Sequence, residues 1–172
     1  MIYKSQEVSI PKMEYRRFGR TEESISVITL GGMRYKHAWN PPRNHLPSSS
    51  IDNALETTRI ALELGINHIE TAHGYMKSEH IYGAVLRELG VPRHSYKMMT
   101  KGAPMTADAT RQLVEEQLKA LKLDYVDFYG WHGINNEERF LSATQTGGPV
   151  ETLLRLKEEG VIGHVGFSTH AP

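Results

Sequence analysis

Cysteine is absent from this 172-residue chain. That excludes a disulfide framework and any thiolate metal site, and it fits a reducing, cytoplasmic setting. An excess of either charge is lacking too: 20 Lys and Arg balance 20 Asp and Glu, so no net field draws the chain to nucleic acid or to an anionic membrane. No apolar run approaches the roughly 20 residues that a membrane-spanning helix needs. The opening segment, MIYKSQEVSIPKMEYRRFGR, has no apolar stretch with a cleavage site behind it. A soluble protein acting on a small molecule is the expectation. What the sequence does hold is enough length to bury one core, read as a single domain over residues 1–172. It also holds nine histidines that any functional reading must place.

The alternating stretch Met13 to Phe18, followed by Gly19-Arg20-Thr21-Glu22, predicts a β-hairpin over residues 12–26 with its turn at Gly19 to Glu23, serving as a plug or a lid. Val27-Ile28-Thr29-Leu30 predicts a short strand whose end, Gly31-Gly32, lets a backbone or ligand come close. Residues 36–50 are rich in Pro, Asn and Ser and predict a long loop closed by a serine N-cap. Helix-to-strand units then repeat. Ile51, Leu55, Thr58, Ala61 and Leu62 share a helical face that stops at Gly65, before a strand from Ile66 to Ala72. Ile81, Ala84, Val85 and Leu89 do the same ahead of Gly90 and a strand from Tyr96 to Thr100. Thr106 caps a helix with Leu113, Val114, Leu118 and Leu121 on one face, and Tyr125 to Trp131 follows as a strand. Val150, Leu153, Leu154 and Leu156 form the last stripe, ending at Gly160 before a strand from His164 to Ser168.

Alternation at roughly 25–35 residues per unit implies parallel strands joined by right-handed crossovers, hence an α/β fold. Pattern alone allows a doubly wound sheet or a β/α barrel. The barrel is preferred because no G-x-G-x-x-G follows the first strand. About five parallel strands cannot close the usual eight-stranded barrel, so the expected architecture is a partial (β/α)8 TIM barrel with an N-terminal β-hairpin.

Barrel active sites lie at the C-terminal ends of the strands. Glu70 and Tyr75 stand there after the second strand, Lys101 after the third and His132 after the fourth. A free phenol titrates at about 10, too high for fast proton donation near neutrality, and a neighbouring ammonium lowers that value. Lys101 supplies such an ammonium, Glu70 a carboxylate to hold it charged, and His132 a ring to orient a substrate oxygen. Tyr75 is then the acid. As hydride reaches a carbonyl carbon, negative charge grows on oxygen and a donor aimed there lowers the barrier, so the group suits carbonyl reduction. Taken singly, Tyr75 is a packed aromatic, Lys101 and Glu70 a solvated ion pair, and His132 a satisfied strand-end histidine.

Their company changes that reading. His68-Ile69-Glu70-Thr71-Ala72-His73-Gly74-Tyr75, with Ser78-Glu79 following, resembles the aldo-keto reductase motif Asp-x-Ala-x-x-x-Tyr and its Asp-x-Ala-x-x-Tyr variants. Thr100-Lys101, the run Leu123 to His132, and Leu156 to Ser168 also match, in family order, so the resemblance spans residues 13–170. It implies an NAD(P)H-dependent reductase of a small carbonyl substrate, an aldehyde or ketone, with NADPH favoured over NADH. It further implies Tyr75 as proton donor, Lys101 as its partner, His132 as the orienting residue and Glu70 in the place of the usual Asp. Ser168 would contact the nicotinamide carboxamide, with Thr169 where many members have Asn and Gly32-Met33 where a Gly-Thr-Met segment lines the cofactor.

Glu70 is one methylene longer than Asp, shifting a carboxylate by roughly 1 Å. The His-Ile-Glu-Thr-Ala form resembles a branch of the family that often carries a cysteine-rich iron–sulfur tail, of which this chain has none. The resemblance also implies three further strand–helix units that hold the rest of the dinucleotide. The expectation is poor cofactor affinity from this length of chain, whether it is naturally short or part of a longer protein. A metal site from His73, His132 and His170 is disfavoured, since no H-x-H or H-E-x-x-H spacing occurs. His80, His94 and His164 read as surface or capping residues, and Met98 and Met99 as core filler. The competing reading is a catalytically incompetent half-barrel that associates with itself or with another chain to cover its open sheet edge.

Overall fold

A computed structural model describes residues 12–36 and 38–171; the expected single domain over 1–172 therefore extends slightly beyond the described residues at both ends. Strands β1 (Tyr15–Arg17) and β2 (Ser24–Ser26) pair antiparallel, Tyr15 opposite Ser26 and Arg17 opposite Ser24. The connection is a single 3-10 turn over Gly19–Thr21, closed by Phe18 N–H donating to the Glu23 carbonyl at 2.7 Å. Phe18 stands edge-on to the ring of Phe128, with centroids 5.0 Å apart, and Lys97 pairs with Glu23 at 2.6 Å. Tyr15 Oη donates to the Gly65 carbonyl. Lys97 and Gly65 lie at the entry ends of their strands, so the hairpin is a plug across the barrel floor and not a lid over its mouth.

The main sheet has the order β3-β4-β5-β6-β7, all parallel: Thr29–Gly31, His68–Glu70, Lys97–Gly102, Val126–Trp131 and Ile162–Phe167. Every strand neighbours its successor in the chain. A doubly wound sheet reverses its order at a switch point, and this one does not, so the winding is that of a barrel carried through five strands. Helices α1 (Ser48–Glu63), α2 (Ser78–Glu88), α3 (Ala107–Leu121) and α5 (Pro149–Glu158) pack on one another in series around its outside. The core lies between helix stripes and strands: Ile81, Val85, Val114, Leu121, Leu153 and Leu156 against Ile69, Met98, Tyr129 and Trp131, all buried. No helix among the described residues is long and apolar enough to cross a membrane.

Local signals held where they were specific. Thr106 Oγ1 accepts from Ala109 N–H, and Gly65, Gly90 and Gly160 end their helices with φ of +85°, +62° and +78°, the left-handed stop that a side chain would resist. Three expectations need correction. Helix α1 has no serine cap: it starts at Ser48, and the Pro47 carbonyl takes the first bonds, from Ser50 and Ile51 N–H. Val27 and Ile28 are exposed and precede β3, which begins at Thr29. His164 is half-buried and not simply a surface or capping residue, its ring 5.7 Å from that of Phe128 beside a cavity of about 280 Å³ shared with Phe18 and Met99. The unanticipated helix α4 (Glu137–Thr144) carries no apolar stripe, and only Ala143 is buried; its sole local signals are Asn136, which caps Arg139 N–H at 2.9 Å, and the acidic first turn.

Close packing of α2 on α3 makes one substitution decisive. A Cβ on Gly83 would stand 2.2 Å from the Ala120 carbonyl oxygen, whereas one on Gly31 meets nothing within 4 Å. Gly83→Ala is expected to lower the unfolding free energy by about 2 kcal/mol, as overpacking does, and Gly31→Ala to change it little. Urea unfolding midpoints of the two variants check this, and equal effects would contradict the helix contact.

Candidate active site

Parallel register decides which side chains share the mouth. Glu70 ends β4 opposite Met99, and Lys101 opposes Gly130 on β6. Side chains alternate faces with period two, so Lys101, two residues past Met99, points to the same side as Glu70. His132 follows β6 two residues beyond Gly130, its N–H bonded to the Gly102 carbonyl at 2.8 Å. Tyr75 closes a 3-10 turn, His73–Tyr75, immediately after β4.

The four groups come together. Lys101, only 3% exposed, donates a hydrogen bond from Nζ to Glu70 Oε1. The extra methylene of Glu70 is thus accommodated, and the ion pair forms. The same Nζ lies 5.2 Å from the centroid of the Tyr75 ring, and the Tyr75 and His132 rings meet edge to face at 5.8 Å. Partial burial is the main cause that lowers the His132 pKa, with the Lys101 cation next, so the ring is neutral near pH 7. A neutral imidazole offers one donor and one acceptor nitrogen. A cleft of about 470 Å³ opens beside it, bounded by His73, Gly74, Gly102, Pro104 and Leu113.

Several residues that sequence reasoning missed build this geometry. Gly130 is one: a Cβ there would sit 3.1 Å from Lys101 Cγ, so the bare backbone leaves room for the lysine stem. A glycine inside a strand is the signal that marks such close approach. On the opposite face of β5, buried Glu79 Oε1 accepts from Thr100 Oγ1 and from Gln117 Nε2, both at 2.6 Å. Gln117 Nε2 also reaches the Lys101 carbonyl, and Tyr129 Oη donates to Gln117 Oε1 at 2.8 Å. Burial, reinforced by the Glu79 carboxylate, pushes the Tyr129 phenol far up, which keeps it a donor. Arg139 on α4 donates to the carbonyls of His132 and Gly133 and lies over the Trp131 ring.

The residues expected at a cofactor fall into two groups. Ser168 is tied to the segment carrying His132: its N–H donates to the Trp131 carbonyl and its Oγ accepts from Gly133 N–H, both at 3.1 Å. Thr169 is exposed, and its Oγ1 accepts from Ala171 N–H. Gly32 follows β3 with its N–H on the Glu70 carbonyl, and Met33 accepts from Trp39 Nε1. A Cβ at Gly32 would lie 2.0 Å from Ser78 Oγ and 2.6 Å from Tyr82, so packing of α2 is by itself a sufficient reason for that glycine. His73 turns Nδ1 toward Glu79, 3.7 Å away, and among the described residues no three His, Asp or Glu side chains gather as a metal-binding set.

Comparison with known proteins bears on this geometry. The Aldo/keto reductase family pattern matches residues 27–172. L-galactose dehydrogenase of Arabidopsis thaliana is 30% identical over 167 residues, covering 91% of this chain and 49% of that protein. A crystal structure from Pseudomonas aeruginosa, assigned as an aldo-keto reductase, superposes with a TM-score of 0.74 and 29% identity over 90% of this chain and 60% of its own. A Bombyx mori aldo-keto reductase in complex with NADP shares the fold at a TM-score of 0.66 and 19% identity, over 92% of this chain and 51% of its own. The chain spans about half the length of the curated relatives it matches.

The cause of the His132 shift is directly testable. In a histidine NMR titration its midpoint is expected below the ordinary value, and Lys101→Met should move it upward by removing a nearby cation. A midpoint unaffected by Lys101→Met would mean that the two groups do not share the mouth.

Proposed function

Because the chain belongs to the aldo/keto reductase family, we propose that it is a nicotinamide-dependent oxidoreductase that reduces an aldehyde or ketone, with NADPH preferred to NADH. The observation that carries this reading is the pair of buried Lys101 with partly exposed Glu70, its ammonium beneath the Tyr75 ring, with neutral His132 at the edge of that ring. The reduced nicotinamide, when bound, supplies the hydride to the carbonyl carbon. Tyr75 Oη gives the proton to the carbonyl oxygen, so hydride and proton together make the alcohol. Lys101, held charged by Glu70, stabilises the phenolate left behind, and the His132 N–H orients the carbonyl oxygen and stabilises charge growing on it. The Ser168 hydroxyl is a neutral hydrogen-bonding group of the kind that suits the carboxamide, with Thr169 next to it and Gly32 and Met33 lining the cofactor after β3. The Ser168 oxygen already accepts from Gly133 N–H, which leaves its own proton free to donate. We read the chain as a single domain and, on its cysteine-free composition, place it in the cytoplasm.

One observation favours a second reading, in which the chain acts by associating with itself or with another chain. An apolar groove of about 290 Å³ runs along β7, lined by Trp131, Ile134, Phe140, Leu154, Val165 and Phe167, and Phe167 is 63% exposed. Sedimentation at micromolar concentration separates the two: a stable monomer that turns over carbonyl compounds leaves no role for association.

Tyr75→Phe is expected to reduce carbonyl-dependent NADPH oxidation by about 10²-fold or more, the usual scale for a lost general acid, with NADPH binding by fluorescence unchanged. Lys101→Met should approach the same loss. Wild-type turnover in Tyr75→Phe would remove the proton-donor assignment.

A further inference from the structure

The turn that carries Tyr75 is not held by its own short 3-10 hydrogen bonds alone. Met76, the residue immediately after the tyrosine, has φ +51° and ψ −101°, a backbone conformation that persists in a non-glycine residue only where the surroundings over-determine it. The surroundings here come from the loop between β3 and α1. Arg43 Nη1 donates to the His73 carbonyl at 2.6 Å and to the Met76 carbonyl at 3.1 Å, bracketing Tyr75 on both sides with one guanidinium. Lys77, fully buried, completes the strap: its N–H donates to the Ala38 carbonyl and its Nζ to the Pro42 carbonyl. Trp39, on the same stretch of loop, places its ring 6.5 Å from that of Tyr75.

We propose that Arg43 is the positioning residue of the proton donor, clamping the carbonyls on either side of Tyr75 so that the strained Met76 turn holds the phenol ring over Lys101. This inference rests on the reductase reading for its catalytic consequence. The clamp touches no reacting atom. It works because a charged donor makes stronger bonds to carbonyl oxygens than water does in a half-buried turn, and because two carbonyls sharing one cation cannot separate without losing one bond. Without the guanidinium the turn relaxes at Met76, and a misplacement on the order of 1 Å in a catalytic group can cost about 10²-fold in rate.

The test uses the full chain with ¹³C-labelled tyrosine, the Tyr75 signal being assigned with Tyr75→Phe. In cofactor-free protein, Arg43→Ala is expected to broaden or split the Tyr75 ring signal while those of the buried core residues Tyr82 and Tyr129 stay in place. Met76→Gly in the Arg43→Ala background should narrow the Tyr75 signal again, since glycine adopts the turn without strain. In NADPH-dependent carbonyl reduction, Arg43→Ala should lower kcat by about 10²-fold with KM little changed, and added guanidinium ion should restore part of the loss. A Tyr75 signal indifferent to Arg43→Ala overturns the clamp, as does a shift of all three tyrosines together, which would make Arg43 a residue of general stability. A wild-type chain that reduces no carbonyl compound, yet whose Tyr75 signal responds as described, sinks the reductase reading and leaves the clamp standing.

Discussion

The site depends on one ion pair around a buried ammonium. An ammonium as enclosed as that of Lys101 is strongly disfavoured by lost hydration unless a counter-charge and good geometry compensate. Glu70, on the neighbouring strand and on the same face, supplies the counter-charge. The requirement propagates outward. The lysine stem needs the empty space over Gly130, and the Lys101 carbonyl is tied by Gln117 into a network that also satisfies the buried carboxylate of Glu79. A cation fixed in this way presents its field to the mouth, to the ring of Tyr75 and to His132.

The two ends of the strands divide the work of the fold. At the floor, Phe18, His68, Phe128 and His164 stack in an aromatic cluster under the hairpin, and burial lowers the His68 pKa, favouring its neutral form, with Nδ1 on the Thr29 hydroxyl. At the mouth stand charges, hydroxyls and turns bound through carbonyls. This follows the general barrel pattern in which the floor carries stability and the C-terminal rim carries chemistry. The hairpin therefore covers the floor, while the loops from β3 to α1 and after β4 and β6 frame the mouth.

Much of the fold was legible in the residues because its causes are local. Apolar stripes in α1, α2, α3 and α5, the Thr106 cap and the glycine stops each act within a turn or two of chain, and strand alternation with helices admits few topologies. The convergence of Glu70, Tyr75, Lys101 and His132 was legible for a different reason: each lies at or just past the C-terminal end of a parallel strand, and parallel strands deliver those ends to one rim. Helix α4 escaped because it exposes Phe140 and Leu141 and buries little, so no stripe marks it.

Sequence by itself determined the alternation of strands and helices, the identity of the four mouth residues and the family resemblance; the order of the strands, which makes the winding that of a barrel, is seen only in the sheet. Only the tertiary structure decided how those residues are held: Arg43 on the carbonyls beside Tyr75, Arg139 on those beside His132, Gly130 making way for Lys101, and Gly32 making way for Ser78 and Tyr82. The physical reason is that hydrogen bonds from side chains to distant carbonyls, and contacts that require a missing Cβ, have no period along the chain. They exist only once elements far apart in sequence have been brought into contact.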